Sequence, residues 1–295
     1  MRWIGRNGLL APSHDVIQPG ICDIFAATQL AGFGAGGSSS LTMLEIVQTL
    51  GLTTNLKLCL DAGDASSFTS GQSWLDRSGN GYDWFLGAGS GGSTDDPTFN
   101  GTVGGKSKNE YFSFSGDDCF TYDTANETWM NNIHKDNARF TLLWAFLPGG
   151  TNGTFWVDFG NAPGQAGFRA MWVSSGAELD VVVANAGANA LVRTSSTLGM
   201  HTADWNIGMV SIDEAAGASG SFFMGNGKVE IFDGTYTLPN ASNAVNTVQI
   251  SANQGGSVQF PSGSRLTIFA AWEGVALMPG QAQSVFSVLR ERFAI

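Results

Sequence analysis

The sequence predicts an all-β protein: a two-sheet antiparallel sandwich carrying an N-terminal arm, a short helix and a closing C-terminal helix. Its composition of 43% hydrophobic and 13% charged residues, with 40 glycines, is typical of a turn-rich β-protein with a sizeable core. Residues 111–118 alternate aromatic and small polar side chains before an acidic turn, as a strand with one buried face does. Asn80-Gly81 is a strong turn signal with strands expected on either side.

The charge balance and the apolar runs exclude two classes of partner. The 14 basic and 25 acidic residues give a net charge of −11, which repels phosphate backbones and anionic membrane surfaces. We find no apolar run of the roughly 18 residues that span a bilayer, and the start has no apolar stretch typical of a secretory signal. The sequence therefore predicts no nucleic-acid binding, no membrane anchor and no secretory signal.

The three cysteines are too few and too scattered for a disulfide framework or a clustered metal site. Cys59 and Cys119 fall on predicted strands, which favours inert core thiols. Cys22 lies in the arm and is the better candidate for an intermolecular disulfide.

The N-terminal segment, residues 1–40, mixes glycine and proline with isolated bulky apolar residues and has no period of two or 3.6. So many bulky side chains are unusual in a solvated tail, which favours an extended arm that docks on another subunit. A Gly/Ser hinge follows at 35–40.

A short helix is predicted at residues 41–50, capped by Ser40 and stopped by Gly51. Leu44, Val47 and Leu50 would share one face. Because a helix this short is marginal alone, it must pack on the sandwich or on the same helix of a neighbouring chain. The predicted organisation is thus an arm at 1–40, a helix and linker at 41–55, and the sandwich at 56–295.

The second half of the chain continues with short strands separated by Gly and Asn and ends in a helix. Strands are predicted within residues 140–157, 168–173, 179–184, 190–193, 205–212, 220–224, 228–232, 248–251 and 265–272. In the last segment Val285, Phe286, Leu289 and Phe293 recur at helical spacing after Pro279, which suits a first turn, so a closing helix is predicted over Pro279–Phe293.

Three motifs carry a family resemblance: LDAGD at 60–64, W-x-D-x-SGNG at 74–81 and F-x-F-x-G-D-D at 112–118. Together they resemble the laminin-G-like branch of the concanavalin A-like lectin/glucanase superfamily. The resemblance covers roughly residues 56–295 and implies a jelly-roll sandwich with a closing helix.

Glycosidases occur in that superfamily, so we looked for paired carboxylates about 5–5.5 Å apart, as retaining enzymes need. The glucanase pattern E-x-D-x-x-E is absent. Glu178 and Asp180 share one strand face, but without a third acid or a flanking tryptophan they are better read as a solvated strand face. His14, His134 and His201 have no zinc-ligand or triad neighbours and are expected on the surface or in loops. The sequence therefore predicts a protein that is not an enzyme.

Acidic residues crowd the turns at strand ends: Asp61, Asp64, Asp76, Asp117 and Asp118. Calcium takes carboxylates and carbonyls from such turns, and many laminin-G-like domains bind it. The alternative is that these side chains cap their turns by hydrogen bonds to the backbone. Both readings stay open, and no other cofactor is expected.

Sugar binding needs aromatic rings exposed beside amide or carboxylate groups. The candidate sugar-binding residues, next to turns rich in Asn and Asp, are Trp84, Trp129, Trp156 and Asn131. The tryptophans in apolar alternation, expected in the core, are Trp74, Trp144 and Trp205.

The layout of arm, helix and lectin-like sandwich resembles virion proteins of tailed bacteriophages, of the fibre, spike or capsid-decorating type. The first hypothesis is a non-enzymatic structural protein, made in the host cytoplasm, that docks on the particle surface through residues 1–55. It would be a homo-oligomer, with a trimer favoured, and would contact host-surface glycans through multivalent sandwiches. The alternatives are a decoration protein that binds no sugar and a glycan depolymerase.

Overall fold

The computed structural model describes residues 40–122, 129–150, 154–158, 166–173, 177–196, 198–244, 247–251 and 260–295, with the backbone alone at 154–158. The predictions for the arm, for Cys22 and for His14 lie outside these residues. The described residues belong to one compact unit, which begins at Ser39.

Sixteen strands are present in the described residues. In chain order they are β1 (Leu56–Asp61), β2 (Ser73–Trp74), β3 (Trp84–Leu86), β4 (Thr98–Asn100), β5 (Tyr111–Ser113), β6 (Phe120–Tyr122), β7 (Arg139–Leu147), β8 (Thr154–Asp158), β9 (Ala166–Val173), β10 (Glu178–Asn185), β11 (Asn189–Thr194), β12 (Asn206–Asp213), β13 (Ser221–Gly225), β14 (Lys228–Phe232), β15 (Gln249–Ile250) and β16 (Arg265–Glu273). Each strand predicted for the second half overlaps one of them. Asn80-Gly81 lies in the connection between the antiparallel strands β2 and β3.

The strands form two eight-stranded antiparallel sheets, which confirms the predicted sandwich. Sheet A has the order β14-β13-β12-β7-β16-β5-β4, with β1 also paired to β16. Sheet B has the order β11-β10-β9-β8-β15-β6-β3-β2. The many crossovers between strands distant in sequence are those of a jelly roll.

The central strands of sheet A are buried on both faces. In β7, Leu142 and Trp144 belong to a core shared with sheet B, whereas Leu143 and Ala145 belong to a second core on the other side. Because both sets of alternate side chains are covered, β7 is apolar at nearly every position. β16 follows the same rule, with residues 266–272 buried.

The helix α1 (Met43–Thr49) forms part of the cover over this second core. Thr42 is its N-cap: its hydroxyl accepts the Glu45 N–H, and the Glu45 carboxylate accepts the Thr42 N–H at 2.7 Å. The predicted cap at Ser40 is therefore wrong. The predicted face is also shifted, since Met43, Ile46 and Val47 are the buried residues. Of the two placements considered, α1 packs on the sandwich.

The helix α2 (Pro279–Phe293) has the predicted limits, with its proline in the first turn. Val285, Leu289 and Phe293 are buried against sheet A, and the ring of Phe293 lies 5.0 Å from that of Trp205. Within the described residues, no helix is long and apolar enough to cross a membrane.

Candidate functional site

Trp84, Trp129 and Asn131 lie in the interior, so the expectation that they are exposed for sugar binding is wrong. Trp84 is 0% exposed and packs against the rings of Tyr122 and Phe269, because its position on β3 faces the other sheet. Trp129 is 4% exposed. Asn131 is also buried, and its side-chain oxygen accepts the Ala244 N–H at 2.7 Å. A sugar ring has no access to these side chains from solvent.

Trp156 remains a candidate sugar-binding residue on the sequence alone, because its side chain is not among those that the structure describes. Its backbone lies in β8, where the register with β9 shifts between Phe155 and Val157. Such a bulge changes the direction of a side chain relative to its neighbours.

The core predictions are confirmed for Trp74, Trp144 and Trp205, all of which are buried. Cys59 and Cys119 are buried free thiols. Burial raises the pKa of Cys59 well above its usual range and that of Cys119 to about 11, so both thiols are inert at neutral pH.

Of the two described histidines, His201 is exposed as expected, but His134 is buried. A ring nitrogen of His134 is hydrogen-bonded to the Ser242 carbonyl at 2.9 Å, and burial lowers its pKa. The expectation of a surface His134 is therefore wrong.

Asp61 forms a buried ion pair with Arg292 of α2. Its two oxygens accept the two terminal guanidinium nitrogens at 2.8 Å each, and they also accept the backbone N–H groups of Met43 and Gly63. The carboxylate is thus already neutralised and saturated with donors. No oxygen remains for a cation.

Asp64, Asp76 and Asp118 accept backbone N–H groups in turns, as the alternative reading proposed, whereas Asp117 accepts from the Ser115 hydroxyl. Asp76 accepts the backbone N–H groups of Cys59, Ser78 and Tyr82. The remaining partners are Ser66 and Arg77 for Asp64, and Ser115 for both Asp117 and Asp118. No described group of three or more acidic, His or Cys side chains could hold a metal. This donor set does not fit calcium, and we derive no role from it.

The outer face of sheet B is only partly exposed, since outward residues of β6 and β10 are buried. Both α-helices pack on sheet A, and the outer face of sheet B carries no α-helix in the described part of the chain. On β10, Leu179, Val181 and Val183 point into the core, so Asp180 and Val182 lie on the outer face. The face therefore carries Glu178 and Asp180, the carboxylate pair singled out in the sequence.

The strand register aligns polar residues across this outer face. Thr121 on β6 pairs with Gln249 on β15, which pairs with Asp158 on β8, which pairs with Arg169 on β9. The Gln249 amide donates to the Thr121 hydroxyl at 3.3 Å. Asp180 lies diagonally to Arg169, since Arg169 pairs with Val182. We call the outer-face residues Thr121, Gln249, Arg169, Asp180 and Thr194 the polar band.

Asp180 is the carboxylate of the polar band. It is 7% exposed, and the Thr194 hydroxyl donates to its Oδ1 atom at 2.8 Å. Burial raises the pKa of Asp180, and the Thr194 hydrogen bond and the Arg169 charge offset this only in part. Asp180 is buried, so it supports the more exposed Thr194 and Arg169 from below and does not itself meet a ligand.

Apolar side chains border the polar band. Val192 on β11 pairs with Val182 and is 46% exposed. Met171 and Phe85 are half-buried at outward positions of β9 and β3. Polar groups beside apolar surface can bind a polyhydroxylated ring through both its hydroxyls and its C–H faces.

The next outward position after Asp180 on β10 is Val182, so within the described residues this strand carries two acids, Glu178 and Asp180.

Sequence reasoning found Glu178 and Asp180 but missed Arg169, Thr194, Thr121 and Gln249. The residues found and the residues missed come together from five strands. Those strands are neighbours only because of the crossovers of sheet B. A partial signal exists: β7 and β16 are apolar at most positions, which identifies them as strands covered on both faces.

No protein-family model and no curated protein matches this chain. Solved structures with a similar fold include a receptor-binding domain (TM-score 0.55, 13% identity, 83% of this chain and 53% of that chain). Others are the binding domain of botulinum neurotoxin DC in complex with SialylT (0.54, 13%, 80% and 52%) and the receptor-binding domain of botulinum neurotoxin type G (0.52, 12%, 80% and 51%). The chain spans about half the length of these structures, and at these identities the likeness shows the fold alone.

Proposed function

We propose that this protein is a non-enzymatic attachment protein of a bacteriophage particle, which binds host-surface glycans through the outer face of sheet B. The observation that carries the glycan assignment is the accessible part of the polar band, bordered by apolar Val192, Met171 and Phe85. Its accessible members are Gln249, Arg169 and Thr194. Extended polysaccharides bind along such faces, because hydroxyls along the polymer meet polar groups on successive strands. The similar fold of receptor-binding domains, one of them in complex with SialylT, supports an attachment role.

The particle assignment rests on the sequence. Residues 1–55 would dock on other virion proteins and bring several sandwiches together, as a homo-oligomer with a trimer favoured. Linked copies raise the effective concentration of each weak site.

The test is binding of the full-length protein to an array of bacterial surface polysaccharides. Val192→Asp adds a charge to the exposed apolar border of the band, and Trp156→Ala removes the remaining sequence candidate on β8. We expect wild-type protein to bind at least one polysaccharide and both variants to bind about tenfold more weakly or not at all.

Ile231→Asp is the matched control, since Ile231 is 49% exposed on β14, the edge strand of sheet A. It should bind as wild type does. No signal for wild-type protein on any polysaccharide would favour a decoration protein instead, and release of reducing ends would favour a depolymerase.

A further inference from the structure

A cleft of about 430 Å³ opens at the end of sheet A where β7 begins and β12 ends. Its walls are Asn137, Arg139, Asp213, Ala215 and Ala216. It belongs to sheet A, whereas the polar band belongs to sheet B. Its volume falls within the range of about 300–1,000 Å³ that is typical of small-molecule sites.

The walls of the cleft are fixed by hydrogen bonds that converge on Glu214. Its carboxylate accepts the N–H of Asn137 at 2.9 Å and that of Tyr236 at 3.3 Å. Its own N–H donates to the Ala138 carbonyl at 2.9 Å. The loop before β7 and the turn after β12 are thereby tied together, so the cleft is formed before any ligand arrives.

Arg139 and Asp213 form an unusual ion pair on the floor of the cleft. The Nε and Nη2 atoms of Arg139 donate to the same oxygen, Oδ2 of Asp213, at 3.0 and 2.7 Å. Within the described residues, Nη1 of Arg139 and Oδ1 of Asp213 take part in no other hydrogen bond. The pair therefore leaves one donor group and one acceptor atom for a ligand, and the Arg139 side chain is 54% exposed.

The remaining walls supply an amide and two methyl groups. The side chain of Asn137 has both a donor and an acceptor and makes no hydrogen bond among the described residues. Ala215 and Ala216 give an apolar wall opposite these polar groups. A neutral ion pair, an amide and methyl groups match a small ligand with adjacent hydroxyls and C–H surface.

The charges around the cleft disfavour an anionic ligand. The Arg139 cation is already compensated by Asp213, the Glu214 carboxylate adjoins the cleft, and the chain carries a net charge of −11. A neutral diol avoids this repulsion: one hydroxyl donates to Oδ1 of Asp213, and the neighbouring hydroxyl accepts from Nη1 of Arg139.

We propose that this cleft binds a neutral saccharide ring through two vicinal hydroxyls. Asp213 and Arg139 form hydrogen bonds with the hydroxyl pair, and Asn137 contacts a further hydroxyl. The alanine methyl groups pack against the C–H face of the ring. Because the cleft is open to solvent, the affinity is weak, on the order of millimolar.

The experiment is a titration of the isotope-labelled full-length protein with the methyl glycosides of glucose, mannose and galactose, followed by NMR. We expect the backbone amide signals of Asn137, Ala215 and Ala216 to shift with at least one glycoside and to saturate at millimolar concentration. A methyl glucuronide, which adds a carboxylate, should bind more weakly. If no neutral glycoside shifts these signals, or if the glucuronide binds as tightly, the proposal is overturned.

Two variants locate the site. Asp213→Asn should weaken binding about tenfold or more, because a charged hydrogen-bond acceptor is lost. Ala215→Leu fills the cleft from an exposed position and should abolish the shifts; unchanged shifts in this variant would overturn the proposal.

Arg290→Gln, which replaces an exposed arginine on α2, is the control. Capture of polysaccharide by the polar band should survive Ala215→Leu, which separates this site from the proposed attachment face.

Discussion

At the scale of single residues, the aspartates show how one residue type takes different roles. Asp76 and Asp118 satisfy backbone N–H groups in turns, whereas Asp61 neutralises a buried arginine. Burial raises the pKa of both Asp118 and Asp180, but Asp180 lies on a strand of sheet B and not in a turn. A carboxylate that is costly to ionise and is not required by a turn is expected to support a binding surface.

The raised pKa of Asp180 leads to a pH-dependent prediction for Asp180→Asn. In the folded protein this carboxyl keeps its proton at pH values where the unfolded chain has lost it, so its contribution to stability declines as the pH rises from about 4 through the raised pKa. Asparagine does not titrate. We therefore expect the variant to be more stable than wild type at neutral pH, by on the order of 1 kcal/mol, with the difference shrinking below pH 4.

Urea denaturation at acidic and neutral pH measures this difference. Asp136→Asn, which replaces an exposed aspartate, is the control and should show little change. A variant that is less stable than wild type at neutral pH would show that the Arg169 and Thr194 contacts of Asp180 outweigh its burial.

At the scale of elements, the ion pair of Asp61 and Arg292 connects three parts of the chain. Asp61 lies at the end of β1, accepts the Met43 N–H at the start of α1, and binds Arg292 near the end of α2. Arg292 also donates to the Ser107 carbonyl in the loop before β5. The pair thus fixes both helices on sheet A.

Asp61→Asn is expected to destabilise the protein by about 3–5 kcal/mol, because it leaves the buried Arg292 charge unpaired. Thermal or urea unfolding measures the loss. The same substitution at Asp64 breaks the pair with Arg77, which is partly exposed to solvent, and should cost no more than about 1 kcal/mol. Equal losses at the two positions would contradict the role given to Asp61.

At the scale of the whole molecule, the described residues form three layers: two helices, sheet A and sheet B. The central strands of sheet A are covered on both faces, so they contribute to stability and leave little surface for ligands. The polar band lies on the outer side of sheet B, and the Arg139–Asp213 cleft lies at the strand ends of sheet A.

Removal of residues 1–39 should leave the sandwich folded, since the compact unit begins at Ser39. We expect the shortened protein to keep its β-rich circular dichroism and a cooperative thermal transition within a few degrees of the full-length one. If the proposed docking role is correct, it should also fail to join particles. An aggregated product without a cooperative transition would show that residues 1–39 are needed for the fold.

Local patterns in the sequence determined the sandwich, most strand positions and both helices. Alternation, turn residues and helical spacing act over a few neighbouring residues, and the limits of α2 follow from Pro279 and the spacing of Val285, Leu289 and Phe293. The burial of Trp74, Trp144 and Trp205 followed from the same patterns.

Only the tertiary structure decided which side chains face solvent and which distant residues meet. Trp84 and Phe85 are adjacent in sequence, and the strand register alone places Trp84 in the core and Phe85 outside. The pairing of Asp61 with Arg292, 231 positions away, depends on α2 folding back over sheet A. The polar band likewise draws on five strands, because a sheet brings together residues whose separation along the chain carries no local signal.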